Sequence, residues 1–301
     1  MRIGIVVPTY NRFAALVRCL ESLQDELLPG DILIVVDAGS KDGPQSEVQQ
    51  RFPDVHHLRA TPDLWWAGLC NLGVKHVLNE GVDYVLTLND DNVVTPGFLD
   101  RLRKQAEQQK NGIFSSVVAY LNDPSVVFFA GRSRARWSDR FRYIHHNKPV
   151  ETLESGVHQV DLLHGMCTLI PKKAFEQIGL FDASVFPHLF ADDDFVLRAQ
   201  RAGFTSWVVS DSLVLNDRGS TGSNPYDRRL GPAEALRLLT SRRSSFQLTA
   251  RTRFLWRHRR NVVSFLLTWM GDYLRLAGVV IARWFLPEKQ FTALAEKWQQ
   301  R

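Results

Sequence analysis

The stretch Tyr84-Val85-Leu86-Thr87-Leu88-Asn89-Asp90-Asp91-Asn92 joins an apolar run, typical of a buried strand, to two adjacent carboxylates flanked by amides. Ligands of α/β proteins bind where parallel strands end, so this polar cluster marks a candidate site. Two neighbouring carboxylates repel each other unless a cation lies between them. A hard divalent ion would remove that repulsion and could hold nucleotide phosphates at the same time. Polar turns of this composition are also common, so the cluster alone indicates a metal site and a plain turn about equally.

Two more apolar runs near the N-terminus end in the same way. Residues 3–7 form a short apolar run cut off by Pro8, and residues 13–23 then carry apolar side chains at helical spacing. A second run, residues 31–36, ends in Asp37-Ala38-Gly39-Ser40-Lys41-Asp42-Gly43. An acid at a strand end before a glycine-rich turn is typical of a ribose or base contact. Three such strand ends within the first third of the chain predict one nucleotide site.

Five motifs, taken in order, carry a resemblance to a known family. They are Val7-Pro8-Thr9-Tyr10-Asn11-Arg12, residues 36–43, residues 64–73, Leu88-Asn89-Asp90-Asp91-Asn92 and residues 186–199. The succession resembles the family 2 glycosyltransferases, inverting enzymes that use nucleotide sugars, and most of all their bacterial rhamnosyltransferase-like branch. The resemblance runs from about residue 2 to residue 222. It implies an α/β chain with the GT-A nucleotide-binding fold, a Rossmann-like mixed sheet with flanking helices.

The resemblance implies a general base and a metal–diphosphate contact. Asp192 matches the family's base, and a carboxylate at a helix N-terminus stays ionised because the helix dipole favours negative charge there. Asp91 matches the second acid of the family's Asp-x-Asp motif, with Asn89 at the first position, where many relatives carry Asp. Mg²⁺ or Mn²⁺ is then expected to be held mostly by Asp91 and the diphosphate oxygens. Asp193 is expected to cap the helix or lie on the surface, and capping is also the alternative role for Asp192.

The resemblance also implies contacts with the donor and the acceptor. Asp194 and Gly165 are expected on the acceptor side, where Gly165 would also let the backbone approach the diphosphate. Trp66 is expected to cover the sugar or the nucleotide, although a core tryptophan fits the sequence equally well. Residues 216–222 resemble a loop that closes over the donor. The remaining expected donor contacts are Pro8, Thr9, Arg12, Asp37, Asn71, Gly73 and Asp90.

Composition agrees with a globular enzyme. The 301 residues are 45% hydrophobic, which is enough for one large domain plus an appendage. Three well-separated cysteines predict no disulfide framework and a reducing compartment. The chain runs straight into its first strand, which leaves no room for a signal peptide. No stretch reaches the roughly 18 uncharged apolar residues of a membrane-spanning helix, so a cytoplasmic protein is expected.

Charge is distributed unevenly along the chain. Residues 228–301 hold 15 Lys and Arg against 4 acids, whereas residues 1–227 are net acidic. Glycine and proline crowd residues 219–232, which predicts a catalytic domain over 1–225 and a basic amphipathic helical tail over 226–301. In residues 261–285 the polar side chains form one narrow helical stripe, and residues 251–260 mix cations with aromatics. This pattern favours peripheral binding to the inner face of an anionic cell membrane.

Other interpretations of the tail and of the activity stay open. The tail helices could instead pack on the catalytic domain or on a second subunit of a homodimer, and nucleic acid ranks last because the other motifs indicate sugar transfer. The predicted reaction moves a sugar from a dTDP- or UDP-sugar, with dTDP-rhamnose as one candidate, to a hydroxyl of a glycan or lipid-linked acceptor. A nucleotidyltransferase would carry a glycine-rich basic loop that residues 8–12 lack. A non-catalytic membrane-bound scaffold is disfavoured because both Asp91 and Asp192 are present.

Overall fold

A mixed sheet forms the centre of the molecule. The computed structural model describes residues 1–43, 45–217, 232–287 and 291. In those ranges the strands are β1 (Ile3–Thr9), β2 (Ile32–Asp37), β3 (His56–Arg59), β4 (Tyr84–Leu88), β5 (Asn92–Val94), β6 (Gly112–Tyr120), β7 (Asp123–Phe129), β8 (Arg132–Arg134), β9 (Phe141–Tyr143), β10 (Val157–Gln159), β11 (Cys167–Pro171) and β12 (Thr205–Asn216).

Helices cover both faces of this sheet. They are α1 (Phe13–Leu23), α2 (Gln45–Arg51), α3 (Trp65–Asn79), α4 (Phe98–Gln108), α5 (Lys172–Ile178), α6 (Ala191–Arg201), α7 (Pro232–Thr240), α8 (Leu248–His258) and α9 (Val262–Phe285). Successive side chains of a strand point to opposite faces, so Ile5 and Val7 of β1 pack with α1 and α4, whereas Val6 packs with α3. Burial on both faces explains why these strands are continuous apolar runs.

The strand order brings three polar strand ends together. The strands run in the order β10-β12-β6-β11-β4-β1-β2-β3, with β5 beside β12 and β7 beside β6. The neighbours β4, β1, β2 and β3 are parallel, and β11 is antiparallel to β4. The carboxyl ends of β4, β1 and β2 therefore meet at one edge, where Thr9 is in register with Asp37. The predicted α/β mixed sheet with flanking helices is confirmed.

Two glycines allow α3 to lie close to the sheet. A Cβ on Gly73 would come within 2.4 Å of Val6 Cγ1, and one on Gly4 would come within 2.5 Å of Val77 Cβ. Neither contact is possible for a larger residue unless the helix moves away from the strands. Because α3 also carries Trp66 in its first turn, this close packing fixes the position of that side chain.

The C-terminal segment is helical and packs against the sheet domain. α8 packs against α6, and α9 packs against α8. A reciprocal capping box begins α9, since Ser264 N donates to Asn261 Oδ1 at 2.8 Å and Asn261 N donates to Ser264 Oγ at 3.2 Å. The boundary predicted between residues 225 and 226, and residues 218–222 of the predicted donor loop, lie outside the described residues.

Candidate active site

Asp90 and Asp91, here called the carboxylate pair, are buried just beyond the end of β4. Thr9 Oγ1 donates to Asp90 Oδ2 at 2.7 Å. Arg12 Nη1 donates to Asp91 Oδ2 at 2.9 Å and to Asp90 Oδ1 at 3.3 Å. Asn216 Nδ2, at the end of β12, donates to Asp91 Oδ1 at 2.9 Å. Each carboxylate oxygen of the pair thus accepts a hydrogen bond from the protein.

The electrostatics of the carboxylate pair fit a cation site. Burial raises the pKa of Asp90 to about 6, although Arg12 and Thr9 act in the opposite direction. Burial also raises the pKa of Asp91. Carboxylate oxygens are the ligands that Mg²⁺ and Mn²⁺ prefer, so the carboxylate pair can bind such an ion once Arg12 moves away from it. Within the described residues no group of three or more His, Cys, Asp or Glu side chains is arranged to hold a metal ion, so phosphate oxygens and water would complete the shell.

A small pocket opens between the ends of β1 and β2. Asp37 Oδ1 accepts hydrogen bonds from Ser40 N at 2.9 Å and Ser40 Oγ at 2.6 Å, and Asn11 N donates to Ser40 Oγ at 2.8 Å. These bonds fix the turn after β2 against the loop after β1. Aromatic, hydroxyl and carboxylate groups in one pocket suit the ring and hydroxyls of a nucleoside. The pocket is lined by, among others, Thr9, Phe13, Asp37, Ser40, Asp42 and His57.

A second cluster joins Asp192 to the carboxylate pair. Gly165 N donates to Asp192 Oδ2 at 2.8 Å, and Trp66 Nε1 donates to Asn89 Oδ1 at 3.0 Å. A Cβ on Gly165 would lie 2.3 Å from the Trp66 ring and 3.3 Å from Asp192 Cβ, so only glycine permits this approach. Because Asn89 directly precedes Asp90, the contacts through Gly165, Trp66 and Asn89 connect Asp192 with the pair.

Asp192 lies in the first turn of α6 and keeps partial exposure to solvent. The preceding Phe190 has a φ of 70°, in the left-handed region that a residue with a Cβ seldom adopts. Burial raises the pKa of Asp192 to about 6, and the charge of Asp193 adds to the increase. The group is therefore largely ionised at neutral pH and holds a proton more readily than an ordinary aspartate.

Asp193 is buried, not at the surface, and its carboxylate accepts a hydrogen bond from Arg132. It forms an ion pair with Arg132, whose side chain is 13% exposed. The prediction of a capping or surface role for Asp193 is therefore wrong. The physical reason is that Arg132, the first residue of β8, brings its guanidinium next to Asp193. A charge so far removed from solvent needs an opposite charge beside it.

Comparison with protein families adds an independent result to this geometry. The family model described as glycosyl transferase family 2 matches residues 4–179. The match covers more than half of the chain and includes the ends of β1, β2 and β4. The chain belongs to glycosyl transferase family 2. The matched span contains the carboxylate pair, Trp66 and Gly165 and ends before Asp192.

Two relatives of this glycosyltransferase extend the likeness over most of its length. The uncharacterized glycosyltransferase YwdF of Bacillus subtilis is 27% identical over 226 residues, which cover 74% of this chain and 78% of YwdF. The N-acetylglucosaminyl-diphospho-decaprenol L-rhamnosyltransferase of Mycobacterium tuberculosis is 26% identical over 250 residues, which cover 73% of this chain and 78% of that protein. The prediction of a family 2 glycosyltransferase is confirmed.

Solved structures confirm the GT-A fold. The mannosyltransferase PcManGT of Pyrobaculum calidifontis, in complex with GDP-Man and Mn²⁺, superposes with a TM-score of 0.57 at 16% identity, covering 99% of this chain and 79% of that one. TarS 1–349 of S. aureus superposes with a TM-score of 0.52 at 15% identity, covering 92% of this chain and 81% of that one. At these identities the likeness concerns the fold.

Asp194 of this glycosyltransferase is fully buried and faces cationic side chains from α6 and α8. It accepts hydrogen bonds from Arg198 Nε at 2.7 Å, Arg257 Nη1 at 3.0 Å and His258 Nε2 at 2.8 Å. Burial opposes ionisation, but hydrogen bonds from His258 and Arg198 hold the pKa of Asp194 at about 2. The geometry favours attachment of α8 to α6, and the acceptor contact stays a prediction.

Replacing Asp194 should cost stability. Asp194→Asn leaves Arg198 and Arg257 without their buried counter-charge, and breaking a buried ion pair in this way costs about 3–5 kcal/mol. Urea denaturation measures the loss in free energy of unfolding. Asp182→Asn is the matched control, because partly exposed Asp182 also binds Arg257 and should cost about 1 kcal/mol or less. Equal stability losses for the two variants would refute the anchoring role of Asp194.

Three of the residues predicted to contact the donor make structural contacts within the protein. Asn71 holds the backbone of Phe181, since its Nδ2 donates to Phe181 O at 2.8 Å and its Oδ1 accepts from Phe181 N at 3.0 Å. Phe181 in turn packs edge-on against Trp66 at 5.4 Å between ring centroids. Gly73 serves the packing of α3, and Pro8 lies buried within β1. Their contact with a donor stays a prediction.

Two polar residues of the site were not singled out by the sequence. Asn216, which binds Asp91, begins the segment that the sequence predicts as the donor loop. It is a polar residue at the end of a strand, as Thr9 and Asp37 are, and that shared pattern indicates a place in the site. Arg132 lies 61 residues from its partner Asp193, and nothing in its own neighbourhood indicates the pairing.

Proposed function

We propose that this glycosyltransferase moves a sugar, with inversion, from a dTDP- or UDP-sugar to a hydroxyl of a glycan or lipid-linked acceptor. The observation that carries the proposal is the contact chain from Asp192 through Gly165, Trp66 and Asn89 to the carboxylate pair. The candidate base and the candidate cation site are thus connected by direct contacts. In-line displacement requires both groups to be close to the transferred sugar. The name of the M. tuberculosis relative makes dTDP-rhamnose one candidate donor.

Each side chain of the site has a proposed task. Asp192, partly exposed and held by Gly165 N, accepts the proton of the acceptor hydroxyl as that oxygen attacks the sugar. Asp91 holds Mg²⁺ or Mn²⁺ with the diphosphate, and Asp90 supports it. The bound metal would neutralise charge that develops on the leaving nucleoside diphosphate. Arg12, displaced from the pair, is placed to bind a phosphate oxygen.

The rest of the donor has a proposed place along the strand ends. The pocket beside Asp37 takes the ribose or base, with the carboxylate accepting from a ribose hydroxyl. Thr9 lies between this pocket and the carboxylate pair. Trp66 would cover the sugar with its ring face while Nε1 keeps its bond to Asn89. The donor would thus run from Asp37 past Asp91 toward Asp192.

The pH dependence of kcat/KM should reveal the base. Asp192 must be ionised to accept a proton, and its pKa is raised to about 6. Activity should therefore fall as the pH drops through about 6, with a slope of about one decade per pH unit or steeper where Asp90 also titrates. An aspartate at its usual pKa of 3.8 would leave activity level down to pH 5. A level profile there, with the fold intact by circular dichroism, would contradict the assignment.

The cellular location is proposed from the tail. Residues 1–225 would form the catalytic domain and residues 226–301 a basic tail that binds the inner face of the cell membrane peripherally. Arg242 and Arg243 lie over the Trp65 ring, at 5.7 and 6.0 Å from its centroid, next to Trp66 of the site. The tail therefore borders the site, which suits an acceptor delivered from a lipid surface. A homodimer through the tail is the alternative.

Transfer of radiolabelled sugar tests the donor and the acceptor separately. The enzyme is incubated with Mn²⁺, one labelled nucleotide sugar at a time and a polyprenyl-diphosphate-linked sugar. Label should enter the butanol-extractable lipid with one donor. If that donor instead gives only water-soluble free sugar, the acceptor class is wrong while donor use stands. If no donor in a panel of dTDP- and UDP-sugars loses its label, the donor proposal fails.

A further inference from the structure

The polar stripe of α9 faces the protein, which leaves the apolar face of this helix outside. Ser264, Thr268 and Asp272 fall on one side of the helix and are no more than 5% exposed. Ser264 Oγ donates to Asp139 Oδ2 at 2.8 Å, and Thr268 Oγ1 accepts from Asp139 N at 2.8 Å. A helix on the surface of a globular protein normally turns its apolar side inward, so the inward polar stripe is unusual. The apolar Leu276 and Val279 of the same helix are also buried, at 6% and 1% exposure.

Asp272 binds the helix to two different parts of the chain. Its Oδ2 accepts from Arg251 Nε of α8 at 3.0 Å, and its Oδ1 forms an ion pair with Arg140 Nη2 at 3.3 Å. Arg140 belongs to the connection between β8 and β9, so its ion pair with Asp272 joins α9 directly to the sheet domain. Buried polar groups this well paired are costly to separate.

The outward face of α9 is large and apolar. Within Val262–Ala282 the mean hydropathy is 1.4 and only 22% of the helix window is buried, so by length and composition this helix is able to cross a membrane. Crossing would require the Asp139 and Asp272 contacts to break and would move Asp272 and Arg275 into hydrocarbon. Nine large apolar side chains of α9 are more than 45% exposed. They are Val262, Val263, Leu266, Leu267, Met270, Leu274, Ile281, Trp284 and Phe285.

The hairpin of β8 and β9 carries a further exposed apolar side chain close to the start of α9. Trp137, in its connecting loop, is 79% exposed and is covered on one side by Arg136 at 4.9 Å from the ring centroid. The loop is fixed to the start of α9, since Arg260 Nη1 donates to Ala135 O at 2.9 Å and Asp139 binds Ser264. An exposed tryptophan beside arginine is suited to the headgroup region of a bilayer.

Charge identifies the surface that this face would meet. Residues 232–287 contain ten arginines and two acids, and one of those acids is the buried Asp272. Exposed arginines lie on the tail and the hairpin, namely Arg136, Arg142, Arg237, Arg242, Arg243, Arg253 and Arg260. A symmetric dimer through the apolar face would bring two sets of these cations together, whereas anionic lipid headgroups would neutralise them. Nucleic acid would leave the apolar centre of the face uncovered.

We propose that α9 lies in the plane of an anionic bilayer, with its outward face and Trp137 in the headgroup region and its polar stripe on the protein. The helix is about 36 Å long at 1.5 Å per residue, so it would lie along the surface over its whole length. The inference deepens the proposed peripheral location and is independent of the proposed sugar transfer.

Vesicle binding tests the surface. The full chain should co-sediment with vesicles of equal parts phosphatidylcholine and phosphatidylglycerol and bind pure phosphatidylcholine far less. Leu267→Gln/Leu274→Gln should weaken binding by roughly tenfold or more, and Trp137→Ala should weaken it by several-fold. Leu28→Gln is the matched control, because Leu28 is an exposed leucine of the sheet domain. Equal binding by all four proteins, or dimers on size exclusion that Leu267→Gln/Leu274→Gln converts to monomers, would overturn the proposal.

Spin labels separate lying in the plane from crossing. Val263→Cys, Met270→Cys and Ile281→Cys each replace an exposed residue of α9, whereas the three native cysteines are buried. After labelling and vesicle binding, the three positions should report one shallow depth. A deep centre flanked by shallow ends would show a spanning helix and overturn the proposal. Donor hydrolysis by Leu267→Gln/Leu274→Gln should stay at the wild-type rate, so a failed vesicle test would leave the proposed catalysis unaffected.

Discussion

Asp192→Asn is expected to lower the turnover number by about 10²–10⁴-fold while the dissociation constant of the donor stays near the wild-type value. Asparagine keeps one side-chain oxygen that can accept from Gly165 N, so the contact with Gly165 is preserved. The basicity is lost, together with the bond that Asp193 N donates to the other carboxylate oxygen at 2.9 Å. Single-turnover kinetics measure the loss in the chemical step, and calorimetric titration with the nucleotide measures donor binding.

The neighbouring acids provide the controls for this substitution. Asp193→Asn removes the counter-charge of Arg132, and Asp194→Asn removes the buried carboxylate that Arg198 and Arg257 share, so both should lower the melting temperature. Asp192→Asn should not lower it, because a partly exposed carboxylate with a raised pKa contributes little to folding. Wild-type turnover in Asp192→Asn together with an inactive but folded Asp194→Asn would move the base to Asp194.

Asp91→Ala should abolish transfer and the metal-dependent part of donor binding. Asp91 offers two carboxylate oxygens toward Arg12 and Asn216, and the substitution removes the principal proposed ligand of the ion. Titration of Mn²⁺ in the presence of nucleotide, followed by electron paramagnetic resonance, measures the lost binding. Asp100→Ala, on the exposed side of α4, should bind Mn²⁺ and donor like the wild type.

Two results would count against the metal site. Undiminished turnover of Asp91→Ala in the presence of EDTA would show that transfer does not require a metal ion. Unchanged Mn²⁺ binding in the same variant would place the ion elsewhere. Arg12→Gln offers a further comparison: it should strengthen Mn²⁺ binding in the absence of donor, because the guanidinium no longer competes for the carboxylate pair.

The sequence predicts the sheet edge of the site well because the information is local. Each apolar run is long enough to be a buried strand, and parallel neighbours must end at the same edge. Thr9, Asp37 and the carboxylate pair therefore meet as expected, and the helix predicted over residues 13–23 is observed with those bounds. The fold follows from the order of such units, which short connections restrict strongly.

The acidic segment that begins α6 is less predictable because its partners are distant in the sequence. Three successive aspartates have three different surroundings. Asp192 faces Gly165, and Asp193 pairs with Arg132. Asp194 is enclosed by Arg198 of α6 and by Arg257 and His258 of α8. A motif gives the positions of these carboxylates, but only the tertiary structure shows which one retains access to solvent.

The orientation of α9 illustrates a second limit. Helical periodicity separates a polar stripe from an apolar face, and it does not state which of the two is inside. Asp139 and Arg140, more than 120 residues before the helix, decide the matter by pairing with Ser264, Thr268 and Asp272. Long-range ion pairs of this kind have no signature in the local sequence.

Phosphorus-31 NMR of a reaction with the donor identified by labelling distinguishes sugar transfer from other cleavage of the donor. The two donor resonances should be replaced by those of a nucleoside diphosphate, the change should require Mg²⁺ or Mn²⁺, and Asp192→Asn should slow it by at least about 10²-fold. Appearance of a nucleoside monophosphate with a sugar phosphate would show cleavage within the diphosphate, which contradicts sugar transfer. Donor resonances unchanged by the wild-type enzyme, with its acceptor and metal present, would contradict catalysis.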